Sequence, residues 1–161
     1  VSYTLDNLNV NFTATYLSDY SVTNEAGEKT EHIGEVLFPE MRFNVNATYD
    51  VSDEFSVFAQ LNYRGETEND LKNSTRAKPL SDDINTLDSV VYLDLRGNYQ
   101  VNDNVSLYVG VNNALDQEVD IIPANTAAAS NGTLKINGTN TDPRAYDLIG
   151  RQYFAGVKIA F

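Results

Sequence analysis

At 161 residues, with 42% hydrophobic and 21% charged side chains, the chain is the size of one folded domain. Its 23 acidic against 11 basic residues, a formal charge of -12, exclude the concentrated basic face that nucleic-acid phosphates require. With no cysteine and a single histidine, His32, it has neither a disulfide framework nor the ligands of a thiolate or histidine-rich metal centre.

No run reaches the roughly 18 consecutive apolar residues of a membrane helix, and the amino terminus lacks a charged start followed by an apolar stretch. Neither fact bears on membrane barrels, whose strands place apolar residues only at alternate positions.

In chain order, "VSYTLDNL" reads as the end of a strand and a tight turn. Six segments of period two follow. "LNVNFTATYL" sets Leu8, Val10, Phe12, Ala14 and Tyr16 against Asn9, Asn11, Thr13 and Thr15. "MRFNVNATYD" sets Met41, Phe43, Val45, Ala47 and Tyr49 against Arg42, Asn44, Asn46 and Thr48. "FSVFAQLNYR" sets Phe55, Val57, Ala59, Leu61 and Tyr63 against Ser56, Phe58, Gln60, Asn62 and Arg64. "VVYLDLRGNYQ" sets Val91, Leu93, Leu95, Gly97 and Tyr99 against Tyr92, Asp94, Arg96 and Asn98. "VSLYVGVNN" sets Val105, Leu107, Val109 and Val111 against Ser106, Tyr108, Gly110 and Asn112. The closing segment sets Tyr153, Ala155, Val157, Ile159 and Phe161 against Gln152, Phe154, Gly156, Lys158 and Ala160. No helix-period segment appears, and the short "NTAAAS" among Asn and Gly reads as loop.

The connections alternate in length. "DVSDE" and "VNDN" are tight polar turns, whereas residues 18–36, 66–87 and 114–149 form long loops rich in Gly, Ser, Asn, Asp and Glu. Short turns at one end and long loops at the other predict an all-β, antiparallel up-and-down meander of about six strands laid out like an outer-membrane barrel. Alternation alone is equally compatible with a soluble β-sandwich binding module. Aromatic placement separates the two. On the apolar faces Tyr49, Phe55, Tyr99 and Phe161 lie beside the short turns and Tyr16, Tyr63 and Tyr153 near the long loops, with Ala, Val and Leu between them. Phe12 and Phe43 are mild exceptions. Two aromatic rings around an aliphatic band match the two interfaces of a membrane. The eight steps from Phe55 to Tyr63 rise roughly 20 Å on a strand tilted as in a barrel.

The tail "YDLIGRQYFAGVKIAF", with Gly150 and Arg151 before the last strand, resembles the carboxyl end of TonB-dependent outer-membrane receptors. "SLYVGVNNALDQE" is similar to the family's penultimate strand, usually close to V-x-N-L-F-D-x-x-Y, with Val111, Asn112, Asn113, Ala114, Leu115 and Asp116 at the matching positions. Ala114 and Leu115 replace the usual Leu-Phe, and no Tyr follows Asp116 closely. The resemblance is specific over residues 88–161 and rests only on strand rhythm over residues 1–87.

It implies a barrel of about 22 strands with an amino-terminal plug. Residues 1–161 would be the carboxyl-terminal portion of that barrel, with plug domain, TonB-contacting box and signal peptide absent from the sequence. The implied activity is energised uptake of a scarce nutrient such as a siderophore–iron complex, with no covalent chemistry, no cofactor and no metal centre. The implied setting is the outer membrane of a Gram-negative bacterium. The partners would be TonB through the plug, the barrel-assembly machinery, outer-membrane lipid and lipopolysaccharide, and a small-molecule or oligosaccharide ligand. In such receptors alternate apolar residues ending on a terminal aromatic form the barrel-assembly signal, here Tyr153, Ala155, Val157, Ile159 and Phe161; Phe161 read simply as an interface aromatic is the plainer alternative. A passive porin-like barrel remains the competing transport reading.

Candidate ligand-facing residues are the inward polar ones toward the long loops: Gln60, Asn62, Arg64, Tyr92, Asn112, Asn113 and Gln152. Asp82 with Asp83, and Asp53 with Glu54, read as solvated loop and turn charge rather than acid–base pairs or calcium ligands. His32 reads as an exposed loop residue, and "SNGTLKINGTN" as a small hairpin around Leu134 to Ile136.

Overall fold

The computed structural model describes residues 1–68, 86–118 and 146–161. Seven strands form one antiparallel sheet, each hydrogen-bonded to the next in sequence: β1 (Ser2–Leu5), β2 (Leu8–Tyr16), β5 (Met41–Asp50), β6 (Phe55–Arg64), β9 (Val90–Asn102), β10 (Val105–Asn112) and β11 (Gln152–Ile159). The six segments of period two are all strands, and the opening segment is the seventh. Its hairpin turns at Asp6 and Asn7, where Asp6 adopts φ 46°, a conformation Asp tolerates better than most residues. At the turn after β9 the pairing steps from Asn102 to Gln100, so Val101 is an extra, bulged residue, and the period of two breaks there.

The long connections are not purely loop. β3 (Ser21–Thr23) and β4 (Lys29–Glu31) pair within the first, and β7 (Thr67–Glu68) and β8 (Thr86–Leu87) pair across the second. Two- and three-residue strands are too short to show a period, which is why the sequence alone reads them as loop. The segments around Asp82, Ala127 and Leu134 lie outside the described residues.

Exposure along the sheet is inverted relative to a water-soluble domain. On β11 the apolar residues Tyr153 and Val157 are 76% and 58% exposed, whereas Gln152, Phe154 and Gly156 on the polar side are half-buried. No second layer of described residues covers the apolar side: Val57 and Leu95 are exposed there as well. A sandwich core would bury these positions. The polar side is the more enclosed, as on the inside of a curved wall.

Register also explains the two aromatic exceptions. Phe43 stands directly across from Tyr63 with the rings stacked, centroids 4.6 Å apart, and Phe12 lies 6.1 Å from Phe43. Because neighbouring strands are staggered, these residues form one diagonal aromatic row toward the long-loop end.

Candidate functional site

The polar wall is assembled by register. Across β5, β6 and β9, Asn44 faces Asn62, which faces Tyr92; Asn46 faces Gln60, which faces Asp94. Asn112 faces Gln152 across β10 and β11. Six of the seven candidate residues therefore share one face near its loop end. Amide side chains link to one another along it: Asn46 donates to Asn44, and Asn44 to Asn62. Toward the short turns the same face carries the Arg96 guanidinium over the Phe58 ring, 5.6 Å from its centroid.

Asn113 stands apart. It sits just beyond β10 with φ 49° and 2% exposure, and both ends of its amide are engaged. Its side-chain oxygen accepts from the Gln117 backbone N–H at 2.9 Å, its Nδ2 donates to the Gln117 carbonyl at 3.4 Å, and its backbone N–H donates to Asp94 Oδ1 at 2.8 Å. Asp116, also at positive φ, accepts from the Arg151 backbone N–H at 3.2 Å and lies 3.6 Å from the Arg151 guanidinium. The Asn113–Asp116 motif is thus a shoulder tying the end of β10 to the start of β11, and the polar atoms of the Asn113 side chain are spent on it.

Arg64 and Tyr92 are also engaged, in holding loops. Arg64 donates to the Val36 carbonyl and, at 3.3 Å, to Thr67 Oγ1. Arg42, directly across from Arg64, donates to the Leu37 carbonyl at 2.7 Å. The Tyr92 hydroxyl accepts from the Asp147 backbone N–H at 2.9 Å, and its ring packs on a buried apolar cluster of Val36, Leu87, Val90 and Tyr146. One member comes from each of the three long connections, and Val90 opens β9 on its polar side. Tyr146 donates to the Asp88 carbonyl at 3.2 Å, and the Glu68 backbone N–H donates to the Gly34 carbonyl at 2.6 Å. The loops therefore fold onto the polar wall at β6 and β9 and meet there.

Sequence reasoning missed this cluster. Two signals pointed to it: adjacent Val90 and Val91, which break the alternation, and the apolar run Val36–Leu37–Phe38 inside a polar loop. His32 differs from its expected exposure as well. It is half-buried, its Nδ1 2.9 Å from Glu35 Oε2 and its ring 6.0 Å from that of Tyr20, which packs on Phe38.

Beside the clamped region an open recess of about 340 Å³ remains between Thr13, Thr15, Arg42, Asn44, Asn62 and Arg64. Its hydroxyls, amides and guanidinium edges suit hydrogen bonding to a polar solute; it holds no nucleophile–base pair. Among the described residues no three His, Asp or Glu side chains gather as a metal site. Glu54 and Ser52 belong to turn chemistry: the Ser52 hydroxyl donates to the Glu54 carboxylate at 3.0 Å and accepts the Phe55 backbone N–H at 3.1 Å.

A meander with an uncovered apolar side, a hydrogen-bonding polar side and loops gathered at one end is a segment of β-barrel wall. The sequence of residues 1–114 matches the family described as TonB dependent receptor-like, beta-barrel, and the chain belongs to that family. Among solved structures it is similar to the ferric enterobactin receptor PfeA of Pseudomonas aeruginosa, whose R480A mutant in complex with enterobactin is 18% identical with a TM-score of 0.65; the match covers 100% of this chain and 21% of that one. It is also similar to the siderophore receptor PiuA of Acinetobacter baumannii, at 19% identity and a TM-score of 0.54, covering 96% and 20%. The copper transporter OprC gives 17% identity and a TM-score of 0.59, covering 99% and 22%. At these identities the likeness is one of fold, and the chain spans about a fifth of the length of each structure. No curated protein matches.

Proposed function

We propose that the chain forms the carboxyl-terminal strands of an outer-membrane receptor that imports a scarce nutrient, such as a siderophore–iron complex, with energy delivered through TonB. The observation carrying this reading is the family match to a sheet whose apolar side is uncovered and whose polar side is a hydrogen-bonding wall. In that setting the apolar side faces lipid and lipopolysaccharide, the aromatic rows lie at the two interfaces, and the polar side faces the lumen. Gln60, Asn62, Asn112 and Gln152, with the recess beside Arg42, are the wall positions offered to a passing solute. Arg64 and Tyr92 act through the loops they hold. The terminal strand, with Tyr153, Ala155, Val157, Ile159 and Phe161 on its apolar side, is presented to the barrel-assembly machinery.

The test is uptake by a strain lacking the full-length gene, across iron chelates, copper, cobalamin and oligosaccharides. Loss of energised uptake of one of them, restored by the gene, supports the proposal. Uptake that persists when the membrane is de-energised identifies a passive pore, and unchanged uptake of all of them refutes transport.

A further inference from the structure

The alternating pattern of β10 and β11 leaves one quantity undetermined. A slip of one residue between paired strands turns every side chain to the wrong face, so the pattern forbids it; a slip of two residues preserves both faces and is invisible to the pattern. This ambiguity is sharpest in β11, where Tyr153, Ala155, Val157 and Ile159 offer similar apolar partners at every second step. Something beyond alternation must select the observed register.

The polar side of this hairpin carries two aromatic residues and two glycines, arranged reciprocally. Gly110 on β10 faces Phe154 on β11, and Tyr108 on β10 faces Gly156 on β11. Each ring occupies the space a side chain on the opposite glycine would need. A Cβ on Gly110 would come within 2.8 Å of Phe154 Cε2 and 2.7 Å of the Leu95 carbonyl oxygen, and a Cβ on Gly156 would come within 2.8 Å of Tyr108 Cε1, with further ring atoms closer still. Real Cβ atoms do not approach so closely: at Gly110 the backbone carbonyl of Leu95 cannot give way, and at Gly156 a side chain would have to push the Tyr108 ring off the strand. The two rings also meet each other, centroids 6.3 Å apart and tilted by 52°.

We propose that these two glycine–aromatic pairs are a register key for the terminal hairpin. Only the observed pairing gives each ring a glycine to lie on. A two-residue slip in one direction sets Tyr108 directly opposite Phe154; in the other it sets Gly110 opposite Gly156 and Tyr108 opposite Lys158. Both slipped forms lose both ring–glycine contacts at once. The inference rests on the geometry of the sheet and stands whether or not the transport reading does.

Gly97 supplies a built-in contrast. It lies on the apolar side, where a Cβ would meet Phe55 Cε2 at 3.4 Å, an ordinary contact. Alanine is expected to fit there with little adjustment.

The test uses the full-length protein inserted in membranes. Gly156→Ala is expected to lower the folded, inserted fraction, and Tyr108→Ala/Gly156→Ala to recover it, because the clash is with the Tyr108 ring alone. Gly110→Ala is expected to be recovered only in part by Phe154→Ala, because the Leu95 carbonyl stays in place. Gly97→Ala should behave as the parent. Register is then read directly by disulfide cross-linking, in a background from which any cysteine outside residues 1–161, which hold none, has been removed. Val109→Cys with Ala155→Cys reports the observed pairing, and Val109→Cys with Tyr153→Cys or Val157→Cys reports the two slips.

In a Tyr108→Ala/Phe154→Ala background the slipped cross-links should rise about tenfold, equivalent to about 1.4 kcal/mol of lost register preference. The proposal is overturned if Gly156→Ala inserts as the parent does, or if adding Tyr108→Ala brings no recovery. An unchanged ratio of slipped to observed cross-links once both rings are removed overturns it equally.

Discussion

The two ends of the sheet are held by different forces. At the short-turn end the reversals are closed largely by their own residues: Ser52 bonds to Glu54 and Phe55, and the Asn104 backbone N–H donates to Asn102 Oδ1 at 3.0 Å, while Asn104 Nδ2 reaches across to the Ala160 carbonyl of the neighbouring strand at 2.9 Å. At the long-loop end the bonds and contacts are distant in sequence, joining Tyr146 to Asp88, Tyr92 to Asp147 and Arg64 to Val36. The fully buried side chains among the described residues, Leu87, Val36, Val90, Asn113 and Thr67, also lie at the loop end. A turn closed by its neighbours forms independently of the others, whereas a cluster drawn from three connections forms together or not at all. The loop end is therefore the cooperative part of the molecule, and substitutions there should spread further.

Three substitutions grade that contrast. Leu87→Ala leaves a cavity in the apolar cluster that joins the loops among the described residues, and is expected to cost about 2–5 kcal/mol of local stability. Limited proteolysis of the membrane-inserted protein should then show faster cleavage in all three long connections, with the strands still protected; acceleration confined to residues near position 87 would mean the loops are not coupled. Tyr92→Phe keeps the ring and removes the acceptor for the Asp147 N–H, a loss of about 0.5–1.5 kcal/mol. Hydrogen exchange should quicken at Asp147 and its neighbours while exchange within β9 holds. Ser52→Ala, in an exposed turn, should change stability by about 0.5 kcal/mol or less. A larger shift in the unfolding midpoint would show that the short turns too contribute cooperatively.

The same contrast separates what could be read from the sequence and what could not. β2, β5, β6, β10 and β11 were legible to within a residue or two because one side of the sheet is apolar and the other polar, so every second residue reports its side. Polar-side aromatics carry no such signal: Phe58, Tyr108 and Phe154 look like errors in an alternation until register shows Arg96 beside the first and glycines beneath the other two. The direction of Gln60, Asn62, Asn112 and Gln152 followed from period alone. What Arg64, Tyr92 and Asn113 hold did not, because their partners, mostly backbone groups, carry no signal of residue type and lie as far as 55 positions away, as with Tyr92 and Asp147. The motif resemblance rests on residues 88–161 and the family match on residues 1–114; they overlap on β9 and β10, where strand rhythm and motif coincide.

Among the described residues, β1 and β11 each have a strand on one side only. Their outer backbone N–H and C=O groups form a template for whatever extended chain arrives first, and β11 presents eight residues of it, Gln152–Ile159, with no proline and a single glycine to interrupt it. Handled as an isolated segment, this sheet is expected to stack copy on copy through those borders into growing ribbons. The remedy for such material is to supply pairing strands along both borders, since detergent shields greasy surfaces but leaves these rows of polar groups unsatisfied.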